Sequence, residues 1–168
     1  MSAKAKVKFG GIFHFECYGP DGRLKWRDKA ENLVIDEGLN HQLDILFDSG
    51  TTQIDPWYIG LTDGTPTVDG GDTLDSHAGW TEVTAYTGDR KEFVGARSSQ
   101  SVDNSASKAS FAINANGTTI GGAFLCGAAT GTTATLLCAA AFTGGNKSAD
   151  DGDTLEVQYT YSAADDGA

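Results

Sequence analysis

The sequence is short of the residues that build the commonest catalytic and metal centres. Its three cysteines, Cys17, Cys126 and Cys138, are odd in number and far apart. No C-x-x-C pair and no Cys/His cluster is present, which excludes the usual structural zinc spacings. The three read as buried free thiols of a chain made in a reducing compartment. The three histidines, His14, His41 and His77, are equally scattered. A G-x-S-x-G elbow is absent. Ser76, His77 and Asp75 form a triad only on paper, because sequence neighbours rarely converge. No phosphate loop occurs, since Gly117, Gly121 and Gly122 lack both the lysine and the helix that such a loop needs. No apolar run approaches the ~20 residues of a membrane-spanning helix. Lys4 and Lys6 resemble the start of an export signal, but Lys8 and Glu16 interrupt any apolar stretch, and no signal is read.

Cations are scarce as well. Twelve Lys and Arg face 23 Asp and Glu, giving a net charge of −11. Nucleic acid and anionic membranes bind cationic faces, so neither is expected as a partner. Proline is rare at 3 residues while glycine reaches 22, with no G-x-y period. That combination excludes collagen and suggests short strands joined by tight turns. At 168 residues the chain can bury a sizeable core without staples, and it reads as one domain over 1–168.

What is present is mostly β pattern. Phe13, Phe15 and Cys17 alternate with His14 and Glu16, and Leu24 and Trp26 alternate with Arg23, Lys25 and Arg27. Between them Pro20-Asp21-Gly22 is a turn, so residues 6–29 are predicted to form a hairpin. Asn32–Ile35 continues extended. Asp36 is placed as the N-cap of a helix over 36–47, with Leu39, Leu43, Leu46 and Phe47 on one predicted buried face. Further strands are predicted at Trp57–Leu61, Trp80–Tyr86, Lys91–Ala96, Ala109–Ile113, Ile120–Cys126 and Thr135–Phe142. The last, around Leu155–Tyr161, is the cleanest. Asp72–Leu74 suits a short helical turn, and Asn116-Gly117 is a strong hairpin signal. Gly121-Gly122 and Ala139–Ala141 leave room for another backbone to approach. The tail Ala163–Ala168 is expected to fray. Short strands with regular turns describe a mainly β chain: an antiparallel sandwich, Ig-like or jelly-roll-like, with one short helix.

Two acidic clusters, Asp69/Asp72/Asp75 and Asp150/Asp151/Asp153, contain calcium-ligand chemistry but not EF-hand spacing; turn formation is the favoured reading. No cofactor and no catalytic residue is assigned. Charge is unevenly placed: residues 1–30 carry a net +4 and the remainder −15. The basic hairpin is therefore expected to act as an arm that meets an acidic surface. Its candidate interface residues are Phe13, Phe15, Arg23, Lys25, Trp26 and Arg27, with the apolar three as anchors.

Several segments carry a resemblance. They are Asn32-Leu33-Val34-Ile35-Asp36-Glu37-Gly38-Leu39-Asn40, Trp57-Tyr58-Ile59-Gly60-Leu61-Thr62-Asp63 and Asp72-Thr73-Leu74. With them go Ser76–Glu82 and Tyr86, Gly122–Leu125, and Gly152–Thr160. Together they resemble a family of small structural proteins of tailed-bacteriophage virions. The resemblance spans roughly 32–162 and leaves the first 30 residues outside. It implies a non-enzymatic capsid decoration, or cement, protein on the outer surface of the head, assembled in the host cytoplasm. The implied partners are the major capsid protein and the chain itself, as a trimer rather than a dimer. The alternative is a tail-fibre, head-fibre or baseplate component that binds a host glycan, for which Trp57, Tyr58, Trp80 and Tyr86 are the candidate stacking residues.

Overall fold

The computed structural model describes residues 6–165. Lys4, the start of the export-signal reading, and Asp166–Ala168 of the tail lie outside them. The chain is mainly β, antiparallel throughout, with one helix among the described residues. The predicted hairpin is formed by β1 (Val7–Tyr18) and β2 (Leu24–Val34). The helix α1 spans Asp36–Phe47, as its spacing predicts. There follow β3 (Tyr58–Asp63), β4 (Thr81–Glu82), β5 (Lys91–Glu92), β6 (Ala96–Ser98), β7 (Ser101–Asp103) and β8 (Ala109–Ala112). The chain closes with β9 (Thr118–Ile120), β10 (Gly122–Cys126), β11 (Leu136–Ala141), β12 (Lys147–Ala149) and β13 (Thr154–Asp165).

One eleven-stranded sheet runs β4-β3-β10-β11-β2-β1-β13-β7-β6, with β5 also on β3 and β8 also on β13; β12 and β9 form a separate pair. The long β2 is the pivot. Its first part pairs with β1, and its last residues, Asn32–Val34, pair with β11. The sheet turns over on itself there, sandwich-like and open rather than closed. Phe13, Phe15, Leu155, Val157 and Tyr159 from one half meet Ile59, Leu61, Leu125 and Cys138 from the other in the main core. Their alternation follows from the two-residue period of a strand. The β3–β10–β11 half is buried on its second face too. There Phe124, Cys126, Leu136 and Ala139 pack with Ile35, Leu74 and Trp80. Burial on both faces explains why β10 and β11 read as unbroken apolar runs.

Several expectations change. Asn116-Gly117 does form a turn, with Gly117 at φ +67°, but it joins no hairpin. β8 pairs with β13 and β9 with β12, so the two flanking segments never meet. Ile120–Cys126 is broken at Gly121 into β9 and β10. Asp72–Leu74 is a non-helical turn in which Asp72 Oδ2 accepts from Asp69 N and from the Trp80 indole, each at 3.0 Å. Asp36 does not cap α1: Ile35 holds that position with no side-chain cap, and Asp36 lies in the first turn.

All three cysteines are free and buried. Cys126 and Cys138 sit on paired strands but on opposite faces, one in each core, so their side chains diverge. Burial, reinforced by Asp153, pushes the Cys17 thiol up to about 11, and burial pushes Cys138 to about 12. Thiolate is the reactive form. Native protein is therefore expected to resist alkylation at neutral pH, and denatured, unreduced protein to titrate three thiols per chain. A count of one would show a disulfide.

Candidate functional site

The predicted site residues do not form one surface. Phe13 is fully buried and Phe15 is 1% exposed. Phe13 stacks on Tyr159 with centroids 4.1 Å apart, and Phe15 meets Phe142 edge-on at 4.7 Å. Neither can anchor a partner, and the hairpin is no detachable arm: β1 lies inside the sheet, bonded to β2 on one side and β13 on the other. The charge difference that suggested an arm is met partly within the chain. Lys25 Nζ lies 2.5 Å from Asp153 and 3.0 Å from Asp150. Lys147 pairs with Asp28 at 3.0 Å and Lys108 with Glu16 at 2.6 Å. Arg23 stays at the hairpin tip, 3.6 Å from Asp21 in an exposed pair of small energetic weight. Trp26 donates its indole N–H to Ser148 O at 2.8 Å and packs edge-on to Phe142. Of the six, Arg27 and Phe15 line a groove of about 290 Å³, with His14, Glu16, Asp28, Lys108 and Gln158.

The other candidates are committed to the fold. His77 stacks on Trp80 at 3.7 Å, with Nδ1 2.9 Å from Trp80 O, while Asp75 accepts from the Thr132 hydroxyl at 2.9 Å. The paper triad is not assembled. Asp153 accepts from Asp150 N at 2.8 Å, and Asp150 accepts from Gly117 N at 3.0 Å, so the second acidic cluster holds turns. Among the described residues no group of three or more His, Cys, Asp or Glu is placed to hold a metal ion. Trp80 and Tyr86 are buried and Trp57 is half-buried against the main core, which removes most of the sugar-stacking set.

The most exposed large apolar residue, Phe47, lies on the helix face predicted to be buried. Leu43, Leu46 and Phe47 of α1 are 54%, 67% and 84% exposed. The helix meets the body with a different face. Gly38 is its one buried residue, set against the backbone of Leu137, where a Cβ would clash. His41 stands edge-on to Trp57 at 5.8 Å, and the Gln42 amide oxygen accepts from the Tyr161 hydroxyl at 2.7 Å. At 3.6 residues per turn, Leu39, Leu43 and Leu46 lie roughly a quarter turn or more from this face. Asp44 lies next to Phe47 around the helix, Asp48 is the C-cap and accepts from Gly50 N at 3.0 Å, and the last turn of α1 carries no basic residue. One signal for this was legible: a glycine at 38 inside the helical spacing marks a close backbone approach, which a leucine face would prevent.

A buried face at Leu43 implies that Leu43→Ala costs about 2–5 kcal/mol. On an exposed stripe the cost is expected to stay below about 1 kcal/mol. Urea unfolding of the isolated chain checks it, and a loss above 2 kcal/mol, the scale of a core leucine, would place the stripe inside. Compared with protein-family models, curated proteins and solved structures, the chain matches none.

Proposed function

We propose that the chain is a non-enzymatic structural protein of a tailed-bacteriophage virion, most specifically a decoration protein on the outer surface of the head. It binds the major capsid protein and copies of itself, after synthesis in the host cytoplasm. The observation that carries the reading is the exposed stripe of α1. Three large apolar side chains within five residues are more than half exposed, the densest such run among the described residues. An exposed apolar patch with a polar rim marks a protein-docking surface. Of the charged residues lining the polar groove, Glu16 pairs with Lys108 and Asp28 with Lys147, which suits a scaffold. The resemblance along 32–162 supplies the virion setting.

The test is copy number in purified particles of the phage that encodes the chain. Decoration requires a number on the scale of the capsomers, with the protein accessible on the intact head. A number on the scale of the single tail would favour the fibre or baseplate alternative. Absence from particles would end the virion reading.

A further inference from the structure

The stripe has a complementary surface on the same chain. Beside α1, a cleft of about 160 Å³ is lined by Gln42, Trp57, Phe93, Val102 and Tyr161 among others. It continues past Val102 and Tyr161 into a shallow groove with Arg97 on its rim. The cleft is about the size that holds one benzene ring. Phe47 of the same chain does not occupy it, being 84% exposed on the far side of the helix.

Charge completes the match. Arg97 is exposed, makes no ion pair within 4.0 Å among the described residues, and donates only to Ser99 O at 2.9 Å. Asp44, next to Phe47 around the helix, and Asp48, its C-cap, lie toward the negative end of a helix with no cation in its last turn. Two stripes laid face to face would juxtapose these carboxylates, so like does not pair with like. A stripe laid in the groove brings carboxylate to guanidinium and apolar side chains to an apolar floor, the helix-in-groove mode of recognition.

We infer that the occupant of the groove is a second copy of this chain, with its Leu43–Phe47 stripe docked there and Phe47 in the cleft. The stripe and the groove are different surfaces, so the contact runs from one copy to the next. It can close as a ring, which agrees with the expected trimer, or as a reciprocal exchange between two copies. This deepens the self-association part of the reading above, and particle binding is measured separately so that each can fail alone.

The experiment is sedimentation equilibrium of the full chain, wild type against Phe47→Ser and Leu46→Ser. Both positions are exposed, so at concentrations where the wild type is monomeric the variants are expected to melt like it. The expected wild-type mass is a multiple of 17.5 kDa. Each variant is expected to weaken association about 30-fold or more, the scale of an interface hot spot. Arg97→Glu is expected to weaken it as well, and Asp48→Lys in the same chain to restore part of the loss. A wild-type chain that stays monomeric at about 100 μM, where even a weak contact would register, overturns the inference. So does an oligomer unaffected by both stripe variants, or a charge swap without rescue. If the wild type is monomeric but Phe47→Ser loses its place on particles, the stripe serves the shell, and the self-docking inference fails while the virion reading stands.

Discussion

Removing residues 1–29 is expected to abolish folding. β1 carries ladder bonds to β13 along Val7–Tyr18 and to β2 along Ile12–Tyr18, so its loss exposes two strand edges at once. It also takes Phe13, Phe15 and Cys17 from the main core and most of β2 with them. One buried phenylalanine truncated to alanine costs about 3–5 kcal/mol. A domain's whole stability is about 5–15 kcal/mol, so losing two such residues and a central strand pair exceeds it. The truncated chain should show no cooperative thermal transition by circular dichroism. A cooperative melt close to that of the full chain would restore the arm reading. The finer version is Phe15→Ala in the full chain, expected to lose about 3–5 kcal/mol in urea while remaining folded.

Breaking the Arg90–Glu82 pair from the acidic side is expected to be the second large effect. The Arg90 side chain is 5% exposed and lies over the Phe124 ring, 5.3 Å from its centroid. Nε and one terminal nitrogen donate to the two Glu82 oxygens at 2.7 and 2.6 Å, and the other terminal nitrogen donates to Ala128 O at 3.1 Å. Glu82→Ala leaves a buried guanidinium with no counter-charge, which costs about 3–5 kcal/mol in fully buried pairs. Because Glu82 is 24% exposed, water can reach the gap, and about 3 kcal/mol is expected. Arg90→Met is expected to cost much less, about 1 kcal/mol. It removes the buried charge, keeps apolar volume over Phe124, and leaves Glu82 to solvent. Denaturant midpoints of the two variants check this asymmetry. Equal losses would mean that the ion pair itself, and not the burial of one charge, sets the energy.

The elements that can be read from residue order alone are those whose burial is one-sided and whose turns are local. β1, the first part of β2 and β13 are legible because apolar and polar residues alternate, and a strand allows only one face to be buried at each step. The turn at Gly22 and that at Gly152 are legible because both glycines sit at positive φ, +76° and +85°, which favours glycine over other residues. The extent of α1 is legible from its length and spacing. Long-range packing sets which way α1 faces, because spacing defines a stripe but not what the stripe meets. The backbone of Leu137 comes too close for anything larger than Gly38, so the glycine face docks and the leucines turn outward. The same holds for Asn116-Gly117, which joins no hairpin because strand partners are chosen by long-range packing. The basic hairpin shows the same division. Its net charge can be counted along the chain, but Lys25 meets Asp153 across 128 residues, and only the folded sheet brings them together.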